Sequence, residues 1–272
     1  MKTILGKISR DLIGNIVIIH FYEPLSLIEK KRFARDFLKQ KENYQIKTVL
    51  EKVGKIKGRL RKAELRFLNG ERNFIAEYKE NGCIFKFDLR EAYFSPRLSW
   101  NRQKIAEDVA KKVNEKKSKI LVMFSGISPY PIILARYLKS QKKKAFIVSS
   151  EINQKACKIG EENVRLNKLQ DYISVLQGDS KKIGLKLKAK KLPLQFDFIL
   201  MPRPNLRETF LSSALKLGKK GTKYYYHGFG EKGKVLNEIQ KDAKNKIKIL
   251  SISQAGDIGP RLNRWLVVFE KV

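Results

Sequence analysis

Residues 120–154, ILVMFSGISPYPIILARYLKSQKKKAFIVSSEINQ, read as a strand, a glycine turn, a helix, a second strand and an acidic residue. The run from Ile120 to Phe124 is continuously apolar, the pattern of a parallel strand buried on both faces. Gly126 lets the backbone turn sharply and approach a ligand with no Cβ in the way. Ser128 is expected to N-cap the helix, with Pro129 and Pro131 in its first turn, where a missing N–H costs nothing. Glu151 ends the second strand, where a carboxylate can accept hydrogen bonds from both hydroxyls of a ribose lying across the strand tips.

The stretch holds neither G-x-G-x-x-G nor G-x-x-x-x-G-K-[ST], so no cradle for a pyrophosphate or triphosphate is expected in it. A nucleoside without phosphates, such as S-adenosylmethionine, suits such a turn; a plain connection between elements is the other reading.

Working outward, strands and helices alternate from Lys119 onward. KAFIVSSE is followed by a helix INQKACKIGEENVRLNKL, then strands YISVLQGD and FDFILM. NLRETFLSSALKLGKKG is expected as a helix closed by Gly221, with Lys219 and Lys220 near its C-terminal dipole. TKYYYHGF, a helix EKGKVLNEIQKDAK and strands IKILSISQ and RWLVVFEKV complete the chain. The order implies an α/β, doubly wound sheet with an antiparallel edge over residues 119–272. Residues 1–95 read as a small α+β domain. It has a strand NIVIIHF and a helix LSLIEKKRFARDFLKQK whose apolar positions are Leu27, Ile28, Phe33, Phe37 and Leu38. IKTVLEKV and AELRFLNG follow, then the runs FIAEYKE and CIFKFDLR, which flank Asn81-Gly82, a type I′ hairpin signal. Residues 96–118 form a basic helical connector.

Charge is the extreme feature of the composition. In 272 residues, 59 Lys and Arg stand against 27 Asp and Glu, a net charge of +32. Self-repulsion of that size makes most sense with a polyanion such as nucleic acid, whose phosphate contacts release counterions. A Lys-rich proteome bias, or adaptation to salt or heat, would raise the same count. Cys83 and Cys157 lack C-x-x-C spacing and read as free thiols of a cytosolic chain; with only two histidines, no zinc or di-iron ligand set is expected. No run has the length of a membrane span and the N-terminus lacks a signal-peptide core, so a cytoplasmic monomer without membrane association is expected.

Three strand tips can converge on one ligand: Gly126, Glu151 and Gly178-Asp179. Asp179 can receive an exocyclic amine or simply N-cap the next helix. Met201-Pro202-Arg203-Pro204-Asn205 is either a rigid loop or a wall beside a reacting group, with Arg203 facing anionic substrate. In FSPRLSWNRQ (94–103), Arg97 and Arg102 offer guanidinium forks, and Phe94 and Trp100 can stack on bases; a surface hinge is the plainer reading.

These segments together resemble the archaeal and eukaryotic tRNA guanine-N1 methyltransferases that act next to the anticodon. NGCIFKFDLREAYFSPRLSWNR is similar to the segment preceding their catalytic domain, MFSGISPYPI to D-M-F-A-G-V-G-P-F-S-I, and EIN to D-I-N-P. ENVRLNKL matches an N-x-x-x-N helix, and GTKYYYHGF resembles G-x-x-H-Y-Y. The resemblance covers nearly the whole chain from about residue 4 and implies a Rossmann-like class I methyltransferase sheet, S-adenosylmethionine as cofactor and tRNA as partner. It implies that Arg97 hydrogen-bonds the guanine O6. Arg102, Phe124, Gly126, Glu151, Ile152, Asp179, Ser180 and Pro202 would hold the cofactor, and Trp100, Arg203 and Arg207 the RNA. Wybutosine-pathway aminocarboxypropyl transferases share the scaffold, and a non-catalytic RNA-binding relative is a further alternative. The chain departs from the family pattern at three places. Met123 replaces an acidic residue, Pro202-Arg203-Pro204 replaces N-L-P, and Asn101 stands where the family has the Glu assigned to remove the N1 proton. No extra N-terminal tRNA-elbow domain is expected.

Overall fold

The computed structural model describes residues 8–54, 63–113, 117–244, 246–259 and 262–272, with the backbone alone at 258 and 259. The chain forms two compact units. One comprises residues up to Glu80 with Ile84–Arg97, the other Asn81–Cys83 with Leu98–Val272. The connector expected at 96–118 is therefore divided: Arg97 lies in the first unit, and the helix that follows lies in the second. Residues 1–7 and 114–116, on which the N-terminal reading and the end of the connector fall, lie outside the described residues.

In the first unit, strands β1 (Ile8–Ile13), β2 (Ile16–Phe21), β3 (Thr48–Lys52) and β4 (Leu65–Gly70) form one sheet in chain order. β2 and β3 run parallel because helix α1 (Leu27–Leu38) carries the chain across between them. Ser26 and Glu29 close a capping box at its start, Ser26 N–H donating to Glu29 Oε2 at 2.7 Å and Glu29 N–H to Ser26 Oγ at 3.3 Å. Phe37 and Ala34 pack on Val17, Val49 and Leu68, with Phe33 and Leu38 beside them. Ile28 does not join them. It is 81% exposed, because nine residues at 3.6 per turn set it about 180° around the helix from Phe37. Leu27 is also exposed. Strand β1 was not anticipated by the sequence pattern. The hairpin β5 (Ile75–Glu80) and β6 (Cys83–Asp88) turns through Asn81 and Gly82, both at positive φ as a type I′ turn requires.

The second unit begins with α2 (Ser99–Lys112). Then β7 (Ser118–Val122), α3 (Pro129–Ser140), β8 (Ala145–Glu151), α4 (Gln154–Leu166), β9 (Ile173–Gln177) and α5 (Ile183–Ala189) alternate. β10 (Phe196–Met201), α6 (Leu211–Lys216), β11 (Gly218–Gly230), α7 (Lys232–Ala243), β12 (Ile247–Gly259) and β13 (Leu262–Lys271) complete it. The strand order is β12-β13-β11-β10-β7-β8-β9. β11 to β9 run parallel and β13 is antiparallel to both its neighbours. This is the expected doubly wound sheet with an antiparallel edge. Leu121, Val148, Ile199, Tyr224 and Val267 form its buried centre, where truncating a leucine to alanine costs about 2–5 kcal/mol.

One expected helix is corrected. Of 205–221, only Leu211–Lys216 is helical, and Gly218–Lys220 already belong to β11. Gly218 pairs with Phe196 of β10. Sheet pairing thus overrides the local helical pattern, and Lys219 and Lys220 sit on a strand rather than at a helix terminus. Among the described residues, no helix is long and apolar enough to cross a membrane, and no group of three or more His, Cys, Asp or Glu is placed to hold a metal ion.

Candidate active site

At the sheet's centre β7 lies between β10 and β8, where the chain's winding reverses. Open α/β sheets bind ligands at the carboxyl ends of strands flanking such a reversal. Beyond β7 the backbone is forced into an unusual path, with Phe124, Gly126 and Ser128 at φ 58°, 55° and 68°. Non-glycine residues in this region carry strain of a kind that clusters at binding sites. The Gly126 N–H donates to Glu151 Oε2 at 2.9 Å, and the Asn153 N–H donates to Oε1 at 2.8 Å. Backbone N–H groups take up much of the carboxylate's acceptor capacity, and what is left can accept from a hydroxyl. Burial raises the Glu151 pKa above its ordinary value, while the backbone N–H groups of Asn153, Gly126 and Ile152 pull it down.

Ser128 does not cap α3 with its side chain, contrary to expectation. Its positive φ is not the extended backbone of a capping residue, and its hydroxyl pairs with Ser149 Oγ at 2.8 Å. Gly160 makes room for that pair, since a Cβ there would lie 2.6 Å from Ser128 Oγ. Asn153 does cap α4, accepting from the N–H groups of Lys155 and Ala156.

Asp179 stands two residues beyond Gln177, which pairs in register with Glu151. The Gly178 N–H donates to the Glu151 carbonyl at 2.8 Å, tying the two strand tips together. Asp179 Oδ1 accepts the Lys181 N–H at 3.0 Å, a local turn; it does not cap α5, which begins at Ile183. Two acidic side chains on adjacent strand ends beside a glycine turn suit an adenosine moiety, one offering acceptors to a ribose and the other to an exocyclic amine. Ser180 is buried nearby in sequence, and Ile152, Phe124 and Pro202 are half-buried. The Phe124 ring meets Phe210 edge-on at 5.0 Å.

A second cluster joins α2 to the sheet. Asn101 and Arg102, in the first turn of α2, are buried. Asn101 Oδ1 accepts the Tyr130 hydroxyl at 3.0 Å and lies 3.0 Å from His227 Nε2. The Arg102 guanidinium lies 5.9 Å from the centroid of the Tyr130 ring. Burial first, then Arg264 and Arg203, push the His227 pKa down to about 3, so its ring is neutral. One strand step of two residues away, the Tyr225 hydroxyl donates to Asp108, seven residues after Asn101 on α2. Residues seven apart on a helix share a face, as do residues two apart on a strand. That coincidence of spacings was legible in the sequence, yet Tyr130 and His227 were missed as site residues.

Arg203 corrects an expectation. It is 4% exposed; its terminal nitrogens donate internally, to the carbonyls of Leu206 and Glu208 and to Glu238 Oε1, its Nε is buried without a hydrogen-bond partner among the described residues, and its guanidinium lies over the rings of Tyr226 and Phe229. Buried and committed in this way, it is not available to RNA. Trp100 is 61% exposed with Lys104 Nζ 4.4 Å from its ring centroid, and Arg207 is exposed. In the first unit, Arg97 is exposed and pairs with Asp11 at 2.8 Å. The sequence reading also passed over Gly228, Gly230 and Gly233, a G-x-G-x-x-G that runs from the end of β11 into the first turn of α7. Its first glycine serves packing, since a Cβ on Gly228 would lie 2.2 Å from Val235 Cγ1.

Comparison with known proteins gives four findings. Residues 76–251 match the family model of the TRM5/TYW2 methyltransferase domain. The chain is similar to tRNA (guanine(37)-N(1))-methyltransferase Trm5b of Pyrococcus abyssi, with 33% identity over 225 residues, covering 83% of this chain and 61% of that protein. It is also similar to tRNA (guanine(37)-N(1))/4-demethylwyosine(37)-methyltransferase Taw22 of Nanoarchaeum equitans, with 32% identity over 305 aligned positions, covering 94% of this chain and 97% of that protein. The crystal structure of Pyrococcus abyssi Trm5b superposes with a TM-score of 0.77 at 30% identity, covering 96% of this chain and 74% of that one. The chain thus spans about three fifths of the Pyrococcus relative and nearly all of the Nanoarchaeum one.

Proposed function

The chain belongs to the TRM5/TYW2 methyltransferase family, and on that premise we propose that it methylates N1 of guanine 37, next to the anticodon of tRNA, using S-adenosylmethionine. The observation that carries the reading is the likeness to the Nanoarchaeum enzyme along 97% of that protein's length, together with the Gly126–Glu151–Asp179 arrangement at the strand tips. S-adenosylmethionine, when bound, supplies a methyl group activated by its sulfonium centre. Glu151, braced by the Gly126 and Asn153 N–H groups, would take the ribose hydroxyls, and Asp179 the adenine amine. Holding base and cofactor in line is the main work of such a site, since proximity and orientation alone supply much of the acceleration. Surplus positive charge draws in the polyanion, and exposed Trp100 offers a face for stacking. A cytoplasmic monomer acting on tRNA completes the reading.

The test uses purified protein, methyl-labelled S-adenosylmethionine and unmodified tRNA transcripts carrying guanine or another base at position 37. The expected product is 1-methylguanosine, only from the guanine transcript. Label elsewhere in the RNA, or an aminocarboxypropyl adduct by mass, would replace the reading.

A further inference from the structure

Asn101, buried in the first turn of α2, is a polar side chain that the reading above leaves without a role. A carboxamide cannot take a proton at neutral pH. Its oxygen is moreover already committed, accepting the Tyr130 hydroxyl at 3.0 Å and facing His227 Nε2 at 3.0 Å. With Oδ1 the acceptor, the His227 proton must sit on Nε2, and the amide is held with its NH2 as the end that has donors to give. No hydrogen bond to Asn101 Nδ2 is found among the described residues.

From this geometry, and resting on the guanine reading, we infer that Asn101 acts as a hydrogen-bond donor to the purine edge, with His227 and Tyr130 as its positioning residues. The site then selects the N1-deprotonated guanine instead of deprotonating it. The N1 proton passes to solvent water or hydroxide, its electron pair stays on the base, and the negative charge shared with O6 is met by the Asn101 N–H. A preorganised donor at a developing oxyanion is a recognised catalytic device, worth about 10²–10³ in rate.

Among the described residues, the cluster's charged or titratable groups include His227, Tyr130, Arg102, Arg203 and Arg264, with Tyr225 and Asp108 one step along the same strand and helix. His227 is neutral down to about 3, through burial and then the two arginines Arg264 and Arg203, so it undergoes no proton change near neutrality.

Single-turnover methylation of a guanine-37 transcript, measured from pH 6 to 9 on the full chain, tests the inference. The wild-type rate should rise about tenfold per pH unit with no plateau, because only the base titrates. Asn101→Ala should keep that slope and lose roughly 10²-fold. Asn101→Glu should flatten the profile and raise the rate at pH 6.5 by at least about tenfold, since a placed general base contributes roughly 10²–10⁴. A wild-type plateau below pH 8 that Asn101→Ala or His227→Gln removes would overturn the inference while leaving the function standing. No methylguanine at any pH would overturn both. A second readout does not depend on activity. The chain has two histidines, so ¹⁵N spectra of labelled protein, with a His20 variant for assignment, show the His227 tautomer directly. The Nε2–H form is expected; an Nδ1–H form would turn the amide around and overturn the inference.

Discussion

Glu151→Gln separates what holds the site together from what the site holds. Glutamine keeps one oxygen for either Gly126 or Asn153 and turns an NH2 toward the other N–H. A buried donor left facing a donor costs about 1–3 kcal/mol. Removing the charge works in the opposite direction. Burial has raised the Glu151 pKa above its ordinary value, so the folded protein disfavours the charged form relative to the unfolded chain, and glutamine relieves that cost. The two effects on folding stability oppose one another. Cofactor binding has no such offset. Losing a charged acceptor for the ribose hydroxyls removes about 1.5–3 kcal/mol, or about 10- to 140-fold at roughly 1.4 kcal/mol per tenfold. Calorimetry with S-adenosylhomocysteine measures the affinity and thermal melting followed by circular dichroism measures the fold. A variant that melts normally and binds within about threefold of wild type would refute the assignment of Glu151 to the nucleoside.

Three further outcomes follow from the geometry. His227 has a folded pKa of about 3 against an ordinary 6.5, so its neutral state stabilises the fold above pH 6.5 and that stability is lost as pH falls toward 3. Denaturant unfolding should show wild type losing up to about 1.4 kcal/mol per pH unit over that window relative to His227→Gln, and a pH-independent difference would count against a buried neutral ring. Trp100→Ala should weaken tRNA binding by roughly 1–3 kcal/mol in filter binding, with stability changed by less than about 0.5 kcal/mol; unchanged tRNA affinity would rule out stacking there. Gly228→Ala should lower stability by about 1–3 kcal/mol in denaturant melts, because its Cβ would collide with Val235 Cγ1 at 2.2 Å, and a neutral substitution would show that α7 can shift away.

The sequence alone determined the second unit's sheet. Continuous apolar strands such as Ile120–Phe124, separated by amphipathic helices, have few ways to bury both faces, and connection rules leave the doubly wound order. It also placed Gly126, Glu151 and Asp179 at strand ends, because a strand's last residue and the turn beyond it are local properties. Only the tertiary structure decided the rest. Residues 218–220 join a strand because β10 offers Gly218 a partner, a gain no local propensity reports. Arg203 reads as a surface cation until Glu238 and two carbonyls, up to 35 residues away, absorb its donors. The contact of Asn101 with His227 spans 126 residues. Hydrogen-bond partners brought together by folding over such separations leave no periodic trace in the chain, so the orientation of the one amide that bears on proton chemistry became visible only in three dimensions.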